Sequence, residues 1–229
     1  MMSTPDMSIL PPDWAAALAS PGYNPADADA LVKRLYGGTA ARAVYPDRTR
    51  VFRAFYETGP DAVRAVVLGQ DPYPQAGKAN GLAFAQDSGP TGGDSLDWIY
   101  KNLECDPGVN FTRPKDGDLS PWAGQGVLLL NSALTVLDSA SGSHRVKWRT
   151  FAMQVLQTLN ARCTPIPFLL LGTDASKWRP TRIAPPHLPI ATTHPVAWTS
   201  IRTPLFKTAF PFSDANDFLI DCGASPITW

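Results

Sequence analysis

Ala65-Val66-Val67-Leu68-Gly69-Gln70-Asp71-Pro72-Tyr73-Pro74 is the stretch on which the architecture turns. Its first four residues are an unbroken apolar run, the pattern of a short strand buried on both faces, and Gly69 with a polar, proline-rich turn stops it. Three later runs repeat the arrangement. Val127-Leu128-Leu129-Leu130 ends at Asn131, Phe168-Leu169-Leu170-Leu171 ends at Gly172, and the weaker Pro189-Ile190-Ala191-Thr192 ends at Thr193-His194-Pro195. Helical patterns over 96–103 and 148–159 fill intervals between them, and upstream Asn24 or Asp27 is placed to cap a helix through Leu31 and Leu35. Strands separated by helices predict an α/β fold: a central four-stranded parallel sheet flanked by helices, in one domain over 1–229 with its motifs in about 60–210. Ligands of such sheets bind beyond the carboxyl ends of the strands, and Gln70, Asp71, Asn131 and His194 all fall there.

Composition narrows the function classes. Twenty basic and twenty acidic residues cancel, so a polyanionic partner must be met by a local patch. Arg145, Lys147 and Arg149, and then Lys177, Arg179 and Arg182, are modest basic clusters that by themselves read as solvated surface. The cysteines, Cys105, Cys163 and Cys222, are scattered without a Cys-x-x-Cys pair or a nearby histidine, which argues against zinc and iron–sulfur sites. No apolar run reaches the roughly 20 residues of a membrane span, and the start lacks the order of a signal peptide. A soluble, intracellular protein is expected, cytoplasmic in a bacterium and nuclear or host-intracellular in a eukaryote or virus. Neither a Gly-x-Gly-x-x-Gly nor a phosphate-loop lysine follows the first strand, which leaves a nucleotide-binding reading without support.

Five blocks, taken in order, carry a family resemblance: Gly69-Gln70-Asp71-Pro72-Tyr73-Pro74, Asn80-Gly81-Leu82-Ala83-Phe84, Ser95-Leu96-Asp97-Trp98-Ile99-Tyr100-Lys101, Trp122-Ala123-Gly124-Gln125-Gly126-Val127-Leu128-Leu129-Leu130-Asn131, and His194-Pro195. Over about 66–195 the chain resembles the family 1 uracil-DNA glycosylases, with Pro74 where the first motif usually ends in His. The resemblance implies an enzyme that flips uracil out of DNA and hydrolyses its N-glycosidic bond, leaving an abasic site, without cofactor or metal.

Each residue also has a plainer reading, and the resemblance supplies the functional one. Asp-Pro alone marks a turn; in the family role Asp71 orients water and stabilises the sugar cation, because cleavage builds positive charge on the deoxyribose. Gln70 helps to shape the water site through its backbone. A lone histidine is commonly structural, but His194 matches the group that donates to uracil O2, a task suited to a neutral imidazole. Asn131 matches the base reader, whose amide complements O4 and N3–H of uracil but not the reversed pattern of cytosine. Phe84 resembles the residue stacked on the base. Tyr73 resembles the wall at C5 that leaves no room for the methyl group of thymine.

DNA contacts implied by the resemblance are Pro74, Ser95, Thr173, Pro195 and Trp198. Ser95 is placed to cap the following helix, and Thr173 falls near a Gly-Ser phosphate clamp. The family's Pro-rich loop is here Pro90-Thr91-Gly92-Gly93-Asp94, more flexible and carrying an acid. Trp198 replaces the leucine wedge by position, with Ile201 or Arg202 as the alternatives. The expected partner is uracil-containing DNA, single- or double-stranded, for a monomeric enzyme; a proteinaceous inhibitor or replication proteins are further candidates. A rival reading is a DNA-binding polymerase-accessory protein that keeps this fold, against which the intact Asp71, Asn131 and His194 argue.

Overall fold

Val66, Val67 and Leu68 pair in parallel with a neighbour on each side, so this apolar run lies in the middle of the sheet. The structure is a computed structural model, and it describes residues 6–38, 42–178, 183–199 and 205–229. Its strands among these residues are β1 (Val44–Tyr45), β2 (Ala65–Gly69), β3 (Val127–Asn131), β4 (Val136–Leu137), β5 (Pro167–Leu171) and β6 (Leu188–Thr192). Four of them form the expected sheet in the order β3-β2-β5-β6, all parallel. Beyond it, β1 and β4 pair as a small antiparallel ribbon, which two-residue segments could not announce in the sequence. Every residue of β2, β3 and β5 is buried, whereas β6, at the edge, is mostly half-exposed; its weaker apolar run follows from that position.

The chain leaves β2, adds β3 on one side, then crosses back to add β5 on the other. The crevice at such a switch point faces the carboxyl ends of the strands. The α-helices among the described residues are α1 (Pro12–Leu18), α2 (Ala26–Gly37), α3 (Arg53–Glu57), α4 (Ser95–Cys105), α5 (Ser120–Ala123), α6 (Arg145–Asn160), α7 (Thr173–Ser176), the short Leu205–Thr208 and the C-terminal helix Pro211–Asp221. In α6 the buried residues Trp148, Phe151, Ala152, Val155, Leu156 and Leu159 form one stripe at helical spacing. Trp148 and Phe151 meet Phe52 edge-on at 6.1 and 5.9 Å, and Phe55 joins Phe151 at 5.4 Å and Trp14 at 5.1 Å. Rings in this arrangement add about 0.5–1.5 kcal/mol per pair beyond their area burial. The final residue, Trp229, is anchored against Trp122 and Phe212.

Two capping expectations change. Pro25 occupies the cap position of α2; Asn24, one residue further out, still accepts the Ala26 N–H at 3.2 Å, and Asp27 lies inside the first turn. Asp94, not Ser95, caps α4, accepting the Asp97 N–H at 3.0 Å. A carboxylate there also meets the positive end of the helix, which leaves Ser95 as the first helical residue.

Candidate active site

Asp71 follows the central strand by two residues, and its carboxylate is held by donors from two segments. The Gly142 N–H donates to Oδ2, the Ser141 hydroxyl lies 3.2 and 3.1 Å from the two oxygens, and the Gln70 side-chain amide donates at 3.0 Å. Gln70 also donates to the Ser141 oxygen at 3.1 Å, while its carbonyl accepts from Ala133 N–H and the Ser132 hydroxyl. The Gln70 side chain is thus what reaches the carboxylate, and the backbone fastens the turn to the end of β3. Donors aimed at one carboxylate favour its charged form and fix its direction.

The neighbouring walls are equally constrained. Asp71, Pro72, Tyr73, Phe84, Ser95, Ser141 and His194 are among the residues around a cavity of about 230 Å³. The Tyr73 hydroxyl donates to the Phe84 carbonyl at 3.1 Å, and burial pushes its phenol well above the usual range, so the ring stays neutral. Lys78 sits 5.6 Å from the Tyr73 ring centre and donates to the Thr91 hydroxyl at 3.0 Å. Phe84 has φ of 66°, a left-handed conformation unusual for an aromatic residue. Such positions cost about 1–3 kcal/mol and persist where surrounding structure enforces them. Here the Tyr73 bond to the Phe84 carbonyl is part of that enforcement.

Parallel pairing puts Gly69 directly beside Asn131. A Cβ on Gly69 would lie 2.5 Å from Asn131 Oδ1 and 3.3 Å from the Phe84 ring, so this glycine makes room for both side chains. Asn131 is 8% exposed, and its carboxamide oxygen faces Gly69 at the end of the central strand. A carboxamide at this position carries both donors and an acceptor that a complementary polar edge could meet.

His194 enters from the end of β6. Its Nδ1 accepts the Val196 N–H at 3.3 Å, which leaves the proton of the neutral ring on Nε2, free to donate. Burial lowers its pKa, and the charge of Asp71 partly opposes that; the net shift favours the neutral ring. Its ring is tilted 6.3 Å from that of Phe84. Gly172, with φ of 109°, packs against it: a Cβ there would meet His194 Cδ2 at 3.1 Å. The other two histidines are structural. His144 Nδ1 meets the Thr135 hydroxyl, which also accepts from the Trp148 indole, and His187 Nδ1 accepts the Ile166 N–H.

The structure therefore brings Gln70, Asp71, Tyr73, Phe84, Asn131 and His194 to one end of the sheet. Pro74 is half-buried, its carbonyl accepting from Ser139 N–H, and Ser95 borders the cavity beside the Tyr73 hydroxyl. Pro195 begins the turn Pro195–Thr199 and is buried; Thr173 opens α7 and is exposed. The Trp198 side chain, together with Ile201 and Arg202, lies outside the described residues. Asp94 emerges as a clasp: it accepts from Gln86 at 2.8 Å and from Thr91 N–H and hydroxyl, both at 2.9 Å, so the acid noted in the Pro90–Asp94 loop ties that loop to α4. Ser141 and Gly142 are site residues that the sequence reading missed, because a Ser-Gly pair in a polar turn carries no signal of a carboxylate 70 residues away.

Among the described residues, no group of three His, Cys, Asp or Glu could hold a metal ion, and no helix is long and apolar enough to cross a membrane. Comparison with known proteins gives a consistent result. Residues 56–219 match the uracil DNA glycosylase superfamily. A uracil-DNA glycosylase of Clostridium beijerinckii is 39% identical over 200 residues, 87% of each chain, and one of Geobacillus thermodenitrificans is 38% identical over 97% of this chain and 96% of its own. Among solved structures, the mimivirus uracil-DNA glycosylase superposes with a TM-score of 0.81 at 24% identity, covering 97% of this chain and 87% of its own. A Y322F form of the mimivirus enzyme, solved in complex with UGI, gives the same TM-score.

Proposed function

This chain belongs to the uracil DNA glycosylase superfamily, and from that premise we propose how its pocket works. It is a hydrolase that releases uracil from DNA, the first step of base excision repair. The C1′–N1 bond breaks with its electron pair passing to uracil, and water oxygen bonds to C1′ as its proton passes to the Asp71 carboxylate and from there to solvent. Asp71 faces the developing sugar cation and orients the water, with Gln70 shaping the water site. His194 donates Nε2–H to the O2 of the departing uracil anion, which needs no acid stronger than a neutral imidazole. The observation that carries this reading is the pairing of a fully braced carboxylate with a histidine whose free nitrogen is the protonated one.

Selection follows from the walls. Asn131 reads the O4 and N3–H edge, Phe84 stacks on the ring, and Tyr73, pinned at its hydroxyl, blocks a C5 methyl group. Pro74, Ser95, Thr173 and Pro195 contact the DNA backbone around the mouth, and Trp198 is the wedge that fills the vacated stack. The enzyme is a monomer, and a proteinaceous inhibitor is a further candidate partner, since a Y322F form of the mimivirus enzyme was solved in complex with UGI. The test is release of free uracil from a uracil-containing oligonucleotide by wild type. Intact oligonucleotide after prolonged incubation would favour the accessory-protein reading instead.

A further inference from the structure

Arg145 and Arg149 of the first basic cluster and Lys177 of the second, far apart in sequence, meet in space; Arg179 and Arg182 lie outside the described residues. Arg145 and Arg149 are spaced i,i+4 and so share one face of α6, and Lys177 follows α7 directly. Between them lies a groove of about 350 Å³ lined also by Ser132, Asp174 and Trp178. Asp174 bridges the walls, 3.0 Å from Arg145 and 2.7 Å from Lys177, so three cations face one carboxylate. Arg149 has no acidic partner among the described residues, leaving the groove with excess positive charge in a chain whose formal net charge is zero.

The groove adjoins the reaction pocket through both catalytic candidates. Arg145 lies three residues beyond Gly142, whose N–H holds Asp71, and its Cδ would be 3.2 Å from a Cβ at Gly142. Asp174 lies two residues beyond Gly172, which packs on His194. Ser132, on the groove wall, follows the base reader Asn131. We propose that this groove is a subsite for the sugar-phosphate backbone of the DNA strand continuing from the flipped uridine, with Arg149 and Lys177 as its phosphate contacts and the half-buried Trp178 as an apolar floor. The subsite rests on the function proposed above and names how the strand leaves the pocket.

Anisotropy of a labelled, uracil-free single-stranded oligonucleotide tests the groove without requiring cleavage, so its outcome is separable from the outcome of the uracil-release assay. Each phosphate neutralised on a single strand contributes about 0.7 to the slope of log affinity against log salt. R149A/K177A is expected to lower that slope by about 1.4, equivalent to about 25-fold weaker binding at 0.1 M salt when the two proteins converge near 1 M. R149K/K177R, which keeps both charges, should retain the slope. K33A/R34A removes the same charge from α2, away from the groove lining, and should leave binding within about twofold of wild type. The proposal is overturned if R149A/K177A keeps the wild-type slope, if K33A/R34A lowers it equally, or if wild type does not bind the strand.

Discussion

Replacing Asp71 by Asn removes the charge while preserving size, and the surroundings of the carboxylate allow the consequence to be worked out. The Asn oxygen can keep the Gly142 N–H, but its NH₂ group must then face Gln70 Nε2, itself a donor now 3.0 Å from the carboxylate. One charge-assisted contact is lost, worth about 1.5–3 kcal/mol in general and less at this half-exposed site. The chemical effect is larger. Losing a general base costs about 10²–10⁴-fold, or about 3–5 kcal/mol at 1.36 kcal/mol per decade, and the cation at C1′ loses its counter-charge as well. In the proposed reading binding rests on Asn131, Phe84 and Tyr73, which the substitution leaves in place. We therefore expect single-turnover uracil release to fall at least 10²-fold in D71N, while anisotropy still detects binding to a uracil-containing strand and thermal denaturation shows a folded protein. Release within tenfold of wild type by a folded variant would refute the role given to Asp71.

Ser141 positions that carboxylate, so S141A should lower kcat by about tenfold with KM little changed, and S141T should recover most of the loss; a change confined to KM would place Ser141 in substrate binding instead. Y73A should gain detectable thymine release and N131D detectable cytosine release, each at reduced overall rate, because each removes one rejection element; strict uracil selectivity in both active variants would put discrimination elsewhere. Burial is the leading cause that holds His144, His187 and His194 below the ordinary histidine range. Between those lowered values and the unfolded value near 6.5 the unfolded chain binds more protons, so stability should rise with pH through that window and fall as pH drops below about 6.5. Melting temperatures at pH 7.5, 6.5 and 5.5 check this, and no decline toward 5.5 would contradict it.

Legibility in the sequence tracks the range of the forces involved. Burial on both faces writes itself into β2, β3 and β5 as continuous apolar runs, and parallel connectivity then places the residues after each run at one end of the sheet. That was enough to expect Gln70, Asp71, Asn131 and His194 together. The two-residue ribbon of β1 and β4 has too little chain to show a period, and the cap of α4 was misplaced by one residue because Asp94 and Ser95 are both competent N-caps. The choice between them was made by distant partners: Asp94 also collects Gln86 and Thr91, which fixes its carboxylate over the helix start.

The same limit explains why the support of Asp71 was invisible. Hydrogen bonds from Ser141 and Gly142 have no periodicity and no composition; they exist only because the turn after β4 folds back over the end of β2. In the family, the first motif usually ends in His. Here position 74 is Pro, which has no side-chain polar group and offers only its carbonyl, accepting from Ser139 N–H. Ser141, two residues beyond that anchor, makes a polar contact to Asp71, so the bond from Ser139 to Pro74 fastens the supporting turn to the motif it supports. A residue that would read in isolation as a weakened motif is, in the folded chain, the attachment point for the turn that holds Asp71.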